Sequence, residues 1–129
     1  MGEPIRVVLI EDNDVFREAL ELLLGLQGTI DVVASLADGR EAVGICVQLR
    51  PDVVVLDYRL PGLDGVELTA AIRYACHDLP VVCLSASASP RAVDALRAAG
   101  AAECLAKDEP LDTILSAIAR AAGRADERR

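Results

Sequence analysis

The sequence has no excess of basic residues, and it lacks any long apolar run. Its 13 lysines and arginines are outnumbered by 21 aspartates and glutamates, which gives a formal net charge of −8 at pH 7. Because a nucleic-acid backbone requires a basic face, we expect this segment not to bind nucleic acid by itself. No apolar run is long enough to span a bilayer, and the first residues do not resemble a signal peptide, so we expect a cytoplasmic protein without membrane association.

Cysteine and histidine do not occur in a pattern typical of a metal site. His77 is the only histidine, and the four cysteines (Cys46, Cys76, Cys83 and Cys104) include no closely spaced pair. Zinc coordination needs clustered thiolate and imidazole ligands. We therefore interpret the cysteines as small buried hydrophobic residues and His77 as a solvated loop residue.

The length of 129 residues is sufficient for one domain with a substantial core and too short for two. A hydrophobic fraction of 53% and a charged fraction of 26% are typical of an ordinary globular protein. We expect residues 1–123 to form the domain and residues 124–129 to form a charged tail that starts a linker.

Five apolar runs, each followed by a helical pattern, indicate alternating strands and helices. The central run, Val53-Val54-Val55-Leu56, predicts a strand that is buried on both faces, as in a parallel sheet covered by helices. Right-handed crossovers then give an α/β fold, a flavodoxin-like doubly wound five-stranded parallel sheet of order 2-1-3-4-5 with helices on both faces. The other strands are predicted at residues 6–10, 30–34, 81–84 and 103–106, and the last helix at about residues 111–122.

Polar residues and turn formers mark the ends of several predicted helices. Asp38-Gly39 is predicted to cap the second helix, and Asp64 with Glu67 predicts a capping box for the third. Leu60-Pro61-Gly62 predicts a turn, and residues 85–90 predict a small polar loop. In the first helix, the apolar positions that mark the helical pattern are Val15, Ala19, Leu22, Leu23 and Leu26.

Five chemically active side chains follow the predicted strands at one edge of the sheet. Strands one and three are neighbours in this order, so we expect Glu11, Asp12 and Asp57 to lie close together. Ser85 and Lys107 follow strands four and five and are expected at the same edge. Three crowded carboxylates repel one another, and Mg²⁺ is the counter-charge that suits a few oxygen ligands. Asp57 is then a candidate nucleophile toward a phosphoryl group, with Lys107 and Ser85 as contacts for its oxygens.

These residues give the chain a resemblance, over about residues 5–122, to the response regulator receiver domains of bacterial two-component systems. The family pattern is an acidic pair after strand one (Glu11, Asp12) and a phospho-accepting aspartate (Asp57). The pattern continues with a Pro-Gly and Asp-Gly turn, which corresponds to Pro61, Gly62, Asp64 and Gly65. It ends with a Ser/Thr-Ala pair and a lysine, which correspond to Ser85, Ala86 and Lys107.

The resemblance implies a mechanism and partners. Glu11, Asp12, Asp57 and the backbone carbonyl of Arg59 would hold Mg²⁺. Asp57 would take a phosphoryl group from a phosphohistidine on a sensor histidine kinase. Ser85 and Lys107 would hold the phosphoryl oxygens, and movement of Ser85 would shift the loop and helix after strand four. Such a protein is not an enzyme beyond its own phosphorylation and dephosphorylation, and homodimerisation on activation is expected.

Three positions depart from the family pattern. Glu11 stands where Asp is commoner, which alters the reach to the metal. Arg59 places a cation where many members carry a neutral or small side chain, so the phosphoryl lifetime of other members cannot be applied to this chain. Cys104 stands where most members place a Tyr or Phe that turns inward on activation. Lys107-Asp108 and the last helix resemble receivers that precede a LuxR-type helix-turn-helix domain, so we expect DNA contact through a C-terminal domain outside this sequence.

Three other functions share parts of this pattern. An aspartyl phosphatase of the haloacid-dehalogenase kind needs a second Asp two residues after the nucleophile, where Arg59 stands. A flavodoxin-type cofactor module needs a Ser/Thr-rich loop after strand one, where this chain has three carboxylates in residues 11–14. The remaining alternative is a pseudo-receiver that binds partners without phosphorylation, and the presence of Asp57, Ser85 and Lys107 argues against it.

Overall fold

Strands and helices alternate along the part of the chain that the computed structural model describes, residues 2–59, 64–86 and 89–124. The strands are β1 (Ile5–Ile10), β2 (Ile30–Leu36), β3 (Val53–Asp57), β4 (Val81–Ser85) and β5 (Glu103–Ala106). The helices are α1 (Asp14–Gly25), α2 (Ala42–Leu49), α3 (Gly65–Ala75), α4 (Pro90–Ala98) and α5 (Leu111–Ala121).

All strand pairs in the sheet are parallel, and the order is β2-β1-β3-β4-β5. The predicted flavodoxin-like fold and strand order are therefore confirmed. The central strand β3 is buried along its whole length, because neighbouring strands cover both of its edges and helices cover both of its faces.

Alternate residues of each strand contribute to two separate hydrophobic cores. On one face, Val55 and Val82 pack with side chains from α1 and α5, such as Leu24 and Ile118. On the opposite face, residues of the strands pack with side chains of α2, α3 and α4, among them Cys46, Ile72 and Leu96. The five helices therefore cover both faces of the sheet, as expected.

The predicted first helix is present as α1, but its buried face does not coincide with the apolar positions that mark its pattern in the sequence. Leu20 and Leu24 are buried and Phe16 is half-buried, whereas Val15 is 79% exposed and Leu26 is 70% exposed. Residues four apart lie on one side of a helix, so Phe16, Leu20 and Leu24 form the stripe that meets the sheet. The apolar positions that mark the helical pattern in the sequence form a neighbouring stripe, which packing against the sheet leaves exposed.

Helix ends agree with the sequence at α3 and differ at α2. Asp64 is the N-cap of α3, where its side chain accepts a hydrogen bond from the Glu67 backbone N–H, as predicted. Asp38 does not cap α2, because its carboxylate accepts hydrogen bonds from Arg40 instead and the helix begins later, at Ala42. The predicted turn at residues 60–62 and positions 87–88 of the polar loop lie outside the described residues.

No helix among the described residues is long and apolar enough to cross a membrane.

Candidate functional site

The carboxyl ends of the strands bring the predicted site residues to one edge of the sheet. Ile10 of β1 is aligned with Leu56 of β3, so the residues that follow them, Glu11 and Asp57, emerge side by side. Ser85 ends β4, and the backbone N–H of Lys107 donates a hydrogen bond to the Ser85 carbonyl at 2.8 Å. The residues that lie far apart in sequence are thus positioned by parallel pairing of the strands.

An acidic cluster lies at the centre of this edge. Carboxylate oxygens of Glu11, Asp12 and Asp57 lie within 4.8 Å of one another. Glu11 is 1% exposed and Asp57 is 5% exposed, whereas Asp12 is exposed. The two buried carboxylates are costly to ionise without a cation nearby, and Asp12 leaves the cluster open to solvent on one side.

Lys107 is the cation that faces the two buried carboxylates. Its Nζ lies 2.7 Å from Glu11 Oε1 and 3.3 Å from Asp57 Oδ2. It is also the only lysine in the sequence. The ring of Phe16 on α1 lies beneath the same ammonium group, with its centroid 4.7 Å from Nζ, which adds a cation–π contact.

The electrostatics of the cluster shift the titration of its members. Burial is the main reason that the pKa of Asp57 is raised to about 6, and the charge of Glu11 adds to the increase. The Arg59 backbone N–H, 3.2 Å from Asp57 Oδ1, and the Lys107 ammonium oppose that increase. Burial alone would lower the pKa of Lys107, but the hydrogen bond to Glu11 and the charge of Asp57 outweigh it and raise the pKa.

The loop after β1 holds Glu11 in place through contacts that the sequence analysis did not identify. The Asn13 backbone N–H donates to Glu11 Oε2 at 2.9 Å, and the Arg17 guanidinium donates to the Glu11 carbonyl at 2.8 Å. Asn13 also caps α1 by accepting from the Phe16 backbone N–H. The cap could have been found from an Asn placed just before a helical pattern, but the positions of Phe16 and Arg17 at the site depend on how α1 is rotated.

The start of α3 is fixed close to Asp57. The Gly65 backbone N–H donates to the Tyr58 carbonyl at 2.7 Å. A Cβ at Gly65 would lie only 2.7 Å from the Tyr58 Cα atom, so no other residue fits without moving the backbone. This close approach holds the chain just after Asp57 rigidly against α3.

The donor chemistry of the cluster fits a hard divalent cation. Three carboxylates lie together, only two of them contact the Lys107 ammonium group, and carboxylate oxygens are the ligands that Mg²⁺ prefers in proteins. The structure thus brings Glu11, Asp12, Asp57 and Lys107 together, and it places buried Ser85 at the end of the neighbouring strand. The roles of these five residues and of the Arg59 carbonyl stay predictions.

Comparisons with known proteins agree with this geometry. The family described as "Response regulator receiver domain" matches residues 7–119. The chain is 38% identical over 118 residues to the transcriptional regulatory protein NarL of Mycobacterium tuberculosis, covering 90% of this chain and 54% of that protein. It is 34% identical over 122 residues to the transcriptional regulatory protein LiaR of Bacillus subtilis, covering 95% of this chain and 57% of that protein.

Solved structures give the same result for the fold. The signal receiver domain of NarL from Mycobacterium tuberculosis superposes with a TM-score of 0.89 at 36% identity, covering 95% of this chain and 98% of that one. A LuxR-family two-component response regulator from Aurantimonas gives a TM-score of 0.86 at 28% identity, covering 95% of this chain and 88% of that one. The chain spans about half the length of the curated relatives it matches.

Proposed function

Since the chain belongs to the response regulator receiver domains of two-component systems, of the type found in NarL and LuxR-family regulators, we propose that it accepts a phosphoryl group on Asp57. The observation that carries the proposal is the buried pair of Glu11 and Asp57 with Lys107 between them, at an edge that Asp12 opens to solvent.

The positions of these groups support the following proposed reaction. A carboxylate oxygen of Asp57 attacks the phosphorus of a phosphohistidine on a sensor histidine kinase. The phosphorus–nitrogen bond breaks, its electron pair returns to the imidazole, and an acyl phosphate forms on Asp57. With a pKa of about 6, Asp57 is ionised and nucleophilic at neutral pH. Lys107 is placed to pair with the phosphoryl oxygens, and the Ser85 hydroxyl is proposed to donate to them.

The acidic cluster has a second role in the proposal. Glu11, Asp12, Asp57 and the carbonyl of Arg59 would hold Mg²⁺. When bound, the cation would neutralise negative charge on the carboxylates and on the incoming phosphoryl group. The protein would catalyse only its own phosphorylation and dephosphorylation.

The proposal extends to the partners and the rest of the protein. The names of the NarL and LiaR relatives describe transcriptional regulators, and the matches cover only 54% and 57% of their lengths. We propose that residues 1–123 form the receiver domain and residues 124–129 start a linker to a DNA-binding domain. A sensor histidine kinase would be the phosphoryl donor, the active form would dimerise, and the protein would act in the cytoplasm.

Phosphorylation by a small donor tests the function without knowledge of the kinase. With Mg²⁺, acetyl phosphate should add the mass of one phosphoryl group to the wild-type chain, and Asp57→Asn should abolish the addition. Asp31→Asn makes the same chemical change at an exposed position on β2 and should be labelled like the wild type. A wild-type chain that remains unlabelled would favour the pseudo-receiver alternative.

A further inference from the structure

Two of the four cysteines are direct neighbours in the sheet although they lie far apart in the sequence. Cys83 of β4 is aligned with Cys104 of β5, and both side chains belong to the core under α3 and α4. Because the two positions are aligned on parallel strands, both side chains extend from the same face of the sheet. The sequence analysis treated them as separate apolar residues, because strand register is a long-range property that the local sequence does not reveal.

The geometry of this pair is compatible with a disulfide bond. Neighbouring strands are about 4.8 Å apart, and disulfides join Cα atoms about 4.4–6.8 Å apart. Side chains at aligned positions of parallel strands extend from the same face of the sheet, so neither has to cross the backbone to meet the other. Thr69 of α3 also contacts Cys83, with its Oγ1 atom 3.7 Å from the sulfur.

The two thiols have different access and reactivity. Cys104 is half-buried on the edge strand of the sheet, whereas Cys83 is 1% exposed on the strand inside it. Hydrogen bonding with Cys83 lowers the pKa of Cys104 to about 7, and the charge of Arg97 contributes to the decrease. Hydrogen bonding with Cys104 and burial raise the pKa of Cys83. A half-buried thiol on the edge strand thus lies next to a buried thiol that can resolve its oxidation product.

We propose that Cys83 and Cys104 form a redox modification site, at which a hydroperoxide oxidises the aligned pair to an intramolecular disulfide between β4 and β5.

The reaction balances with one equivalent of hydrogen peroxide. The Cys104 thiolate attacks one peroxide oxygen, the oxygen–oxygen bond breaks, and Cys104 becomes a sulfenic acid while the departing hydroxide takes up a proton to form water. The Cys83 sulfur then attacks the Cys104 sulfur. The sulfur–oxygen bond breaks, and the hydroxyl group leaves with the Cys83 proton as a second water molecule. Two thiols lose two electrons in total, and one peroxide molecule gains them.

Oxidation at this position would act on the phosphoryl site, a consequence that rests on the proposed function. Cys83 lies two residues before Ser85, and Cys104 lies three residues before Lys107. Ser85 and Lys107 are already joined by a backbone hydrogen bond of 2.8 Å. A covalent link just below them would restrict the movement of Ser85 relative to Lys107, so we expect the oxidised chain to be phosphorylated severalfold more slowly.

The test is thiol mapping of the reduced protein after treatment with hydrogen peroxide. Alkylatable thiols should fall from four to two in the wild type, and peptide mapping should identify a Cys83–Cys104 link that dithiothreitol reverses. Cys104→Ser and Cys83→Ala should each abolish this link. Cys76→Ser, which changes a half-buried cysteine on the α3 side of the molecule, should leave the link intact.

Several results would overturn the proposal. They are conversion of Cys104 to a sulfinic acid while Cys83 stays alkylatable, a link between Cys46 and Cys76, or a link between two chains. Labelling with acetyl phosphate then separates the two proposals. A mapped Cys83–Cys104 disulfide with an unchanged labelling rate would refute the effect on the phosphoryl site. A reduced chain that accepts no phosphoryl group would refute the proposed function without affecting the disulfide mapping.

Discussion

The two ends of the sheet use charged residues in opposite ways. At the end where the strands begin, the Asp52 carboxylate accepts a hydrogen bond from the Arg6 backbone N–H at 2.8 Å and lies 3.9 Å from the Arg124 guanidinium. The Arg6 guanidinium donates to the carbonyls of Leu49 and Arg50. At the end where the strands finish, three carboxylates lie together and two of them contact one lysine. The carboxylate at the first end is offset by basic residues, whereas negative charge is in excess at the second.

The charged residues at the first end stabilise contacts within the chain, whereas the carboxylates at the second end are suited to binding a ligand. Hydrogen bonds between Arg6 and Asp52 tie β1 to the segment before β3, and the nearby Arg124 guanidinium offsets the Asp52 charge. Burial, with the charge of Glu11 added to it, raises the pKa of Asp57, which is a cost to the folded state without a bound metal ion. Such a cost persists at functional sites, where it prepares a group for chemistry.

The largest loss of stability is expected from removing Lys107, the lysine that contacts the acidic cluster. Lys107→Ala leaves the buried carboxylates of Glu11 and Asp57 without their partner, so the free energy of unfolding without Mg²⁺ should fall by about 2–3 kcal/mol. Arg124→Ala removes a longer, more exposed contact at the other end and should cost about 0.5 kcal/mol. Urea denaturation in chelator measures both, and equal losses would contradict the contrast between the two ends.

The charge of Asp57 should destabilise the protein in the absence of metal. Because the pKa of Asp57 is raised to about 6 in the folded state, its ionised form costs stability at neutral pH. Asp57→Asn removes the charge and should raise the free energy of unfolding at pH 7.5 by about 1–3 kcal/mol.

The pH dependence of that gain has a defined sign. The wild-type penalty is complete above about pH 6 and declines as pH falls from about 6 to about 4, because the folded state takes up the proton first. The stability curves of wild type and Asp57→Asn in chelator should therefore converge toward acid pH. If the excess stability of Asp57→Asn over the wild type instead grew as pH fell, the charge of Asp57 would be stabilising the fold.

At the end of the sheet where the strands begin, stability should depend only weakly on charge and on metal. Asp52→Asn keeps an oxygen that can accept from the Arg6 backbone N–H and loses only the ion pair with Arg124. The expected loss of unfolding free energy is about 0.5 kcal/mol, and added Mg²⁺ should not alter it. Thermal unfolding with and without Mg²⁺ measures this, and a metal-dependent loss would place a cation site at the wrong end.

The smallest expected change is in the alkylation rate of Cys104, which lies beside the proposed phosphoryl site. Beryllium fluoride with Mg²⁺, as a phosphoryl mimic, should change amide hydrogen exchange strongly between Ser85 and Leu96, since the small residues of this segment move at low packing cost. The alkylation rate of Cys104 should barely change, because its side chain is too small to fill the space that Ser85 vacates. A large change at Cys104 with constant exchange between Ser85 and Leu96 would indicate that β5 carries the response.

The sequence predicted the features that depend on local pattern and failed where the outcome depends on orientation. The apolar run of β3 and the polar residues that end the strands predicted the sheet and placed Glu11, Asp57 and Lys107 at one edge. The rotation of α1, which places Phe16 at Lys107, is decided by packing against the sheet, and several apolar stripes on that helix compete.

The register of β5 and the end of α2 also depended on more than the local pattern. The alignment of Cys83 with Cys104 depends on how β5 pairs with β4, and no signal within either strand specifies it. Asp38 has the residue type of a helix cap, but the neighbouring Arg40 offers both a backbone N–H and a guanidinium, and the carboxylate binds these instead.

The most direct test of the central claim identifies the phosphorylated residue in the unmodified chain. Borohydride reduces an aspartyl phosphate to homoserine, so treatment after incubation with acetyl phosphate marks the acceptor for peptide sequencing by mass spectrometry. With Mg²⁺, homoserine should replace Asp57 and no other aspartate, and with chelator it should be absent. Homoserine at Asp12 or another aspartate, or equal marking of Asp57 in chelator, would contradict the account.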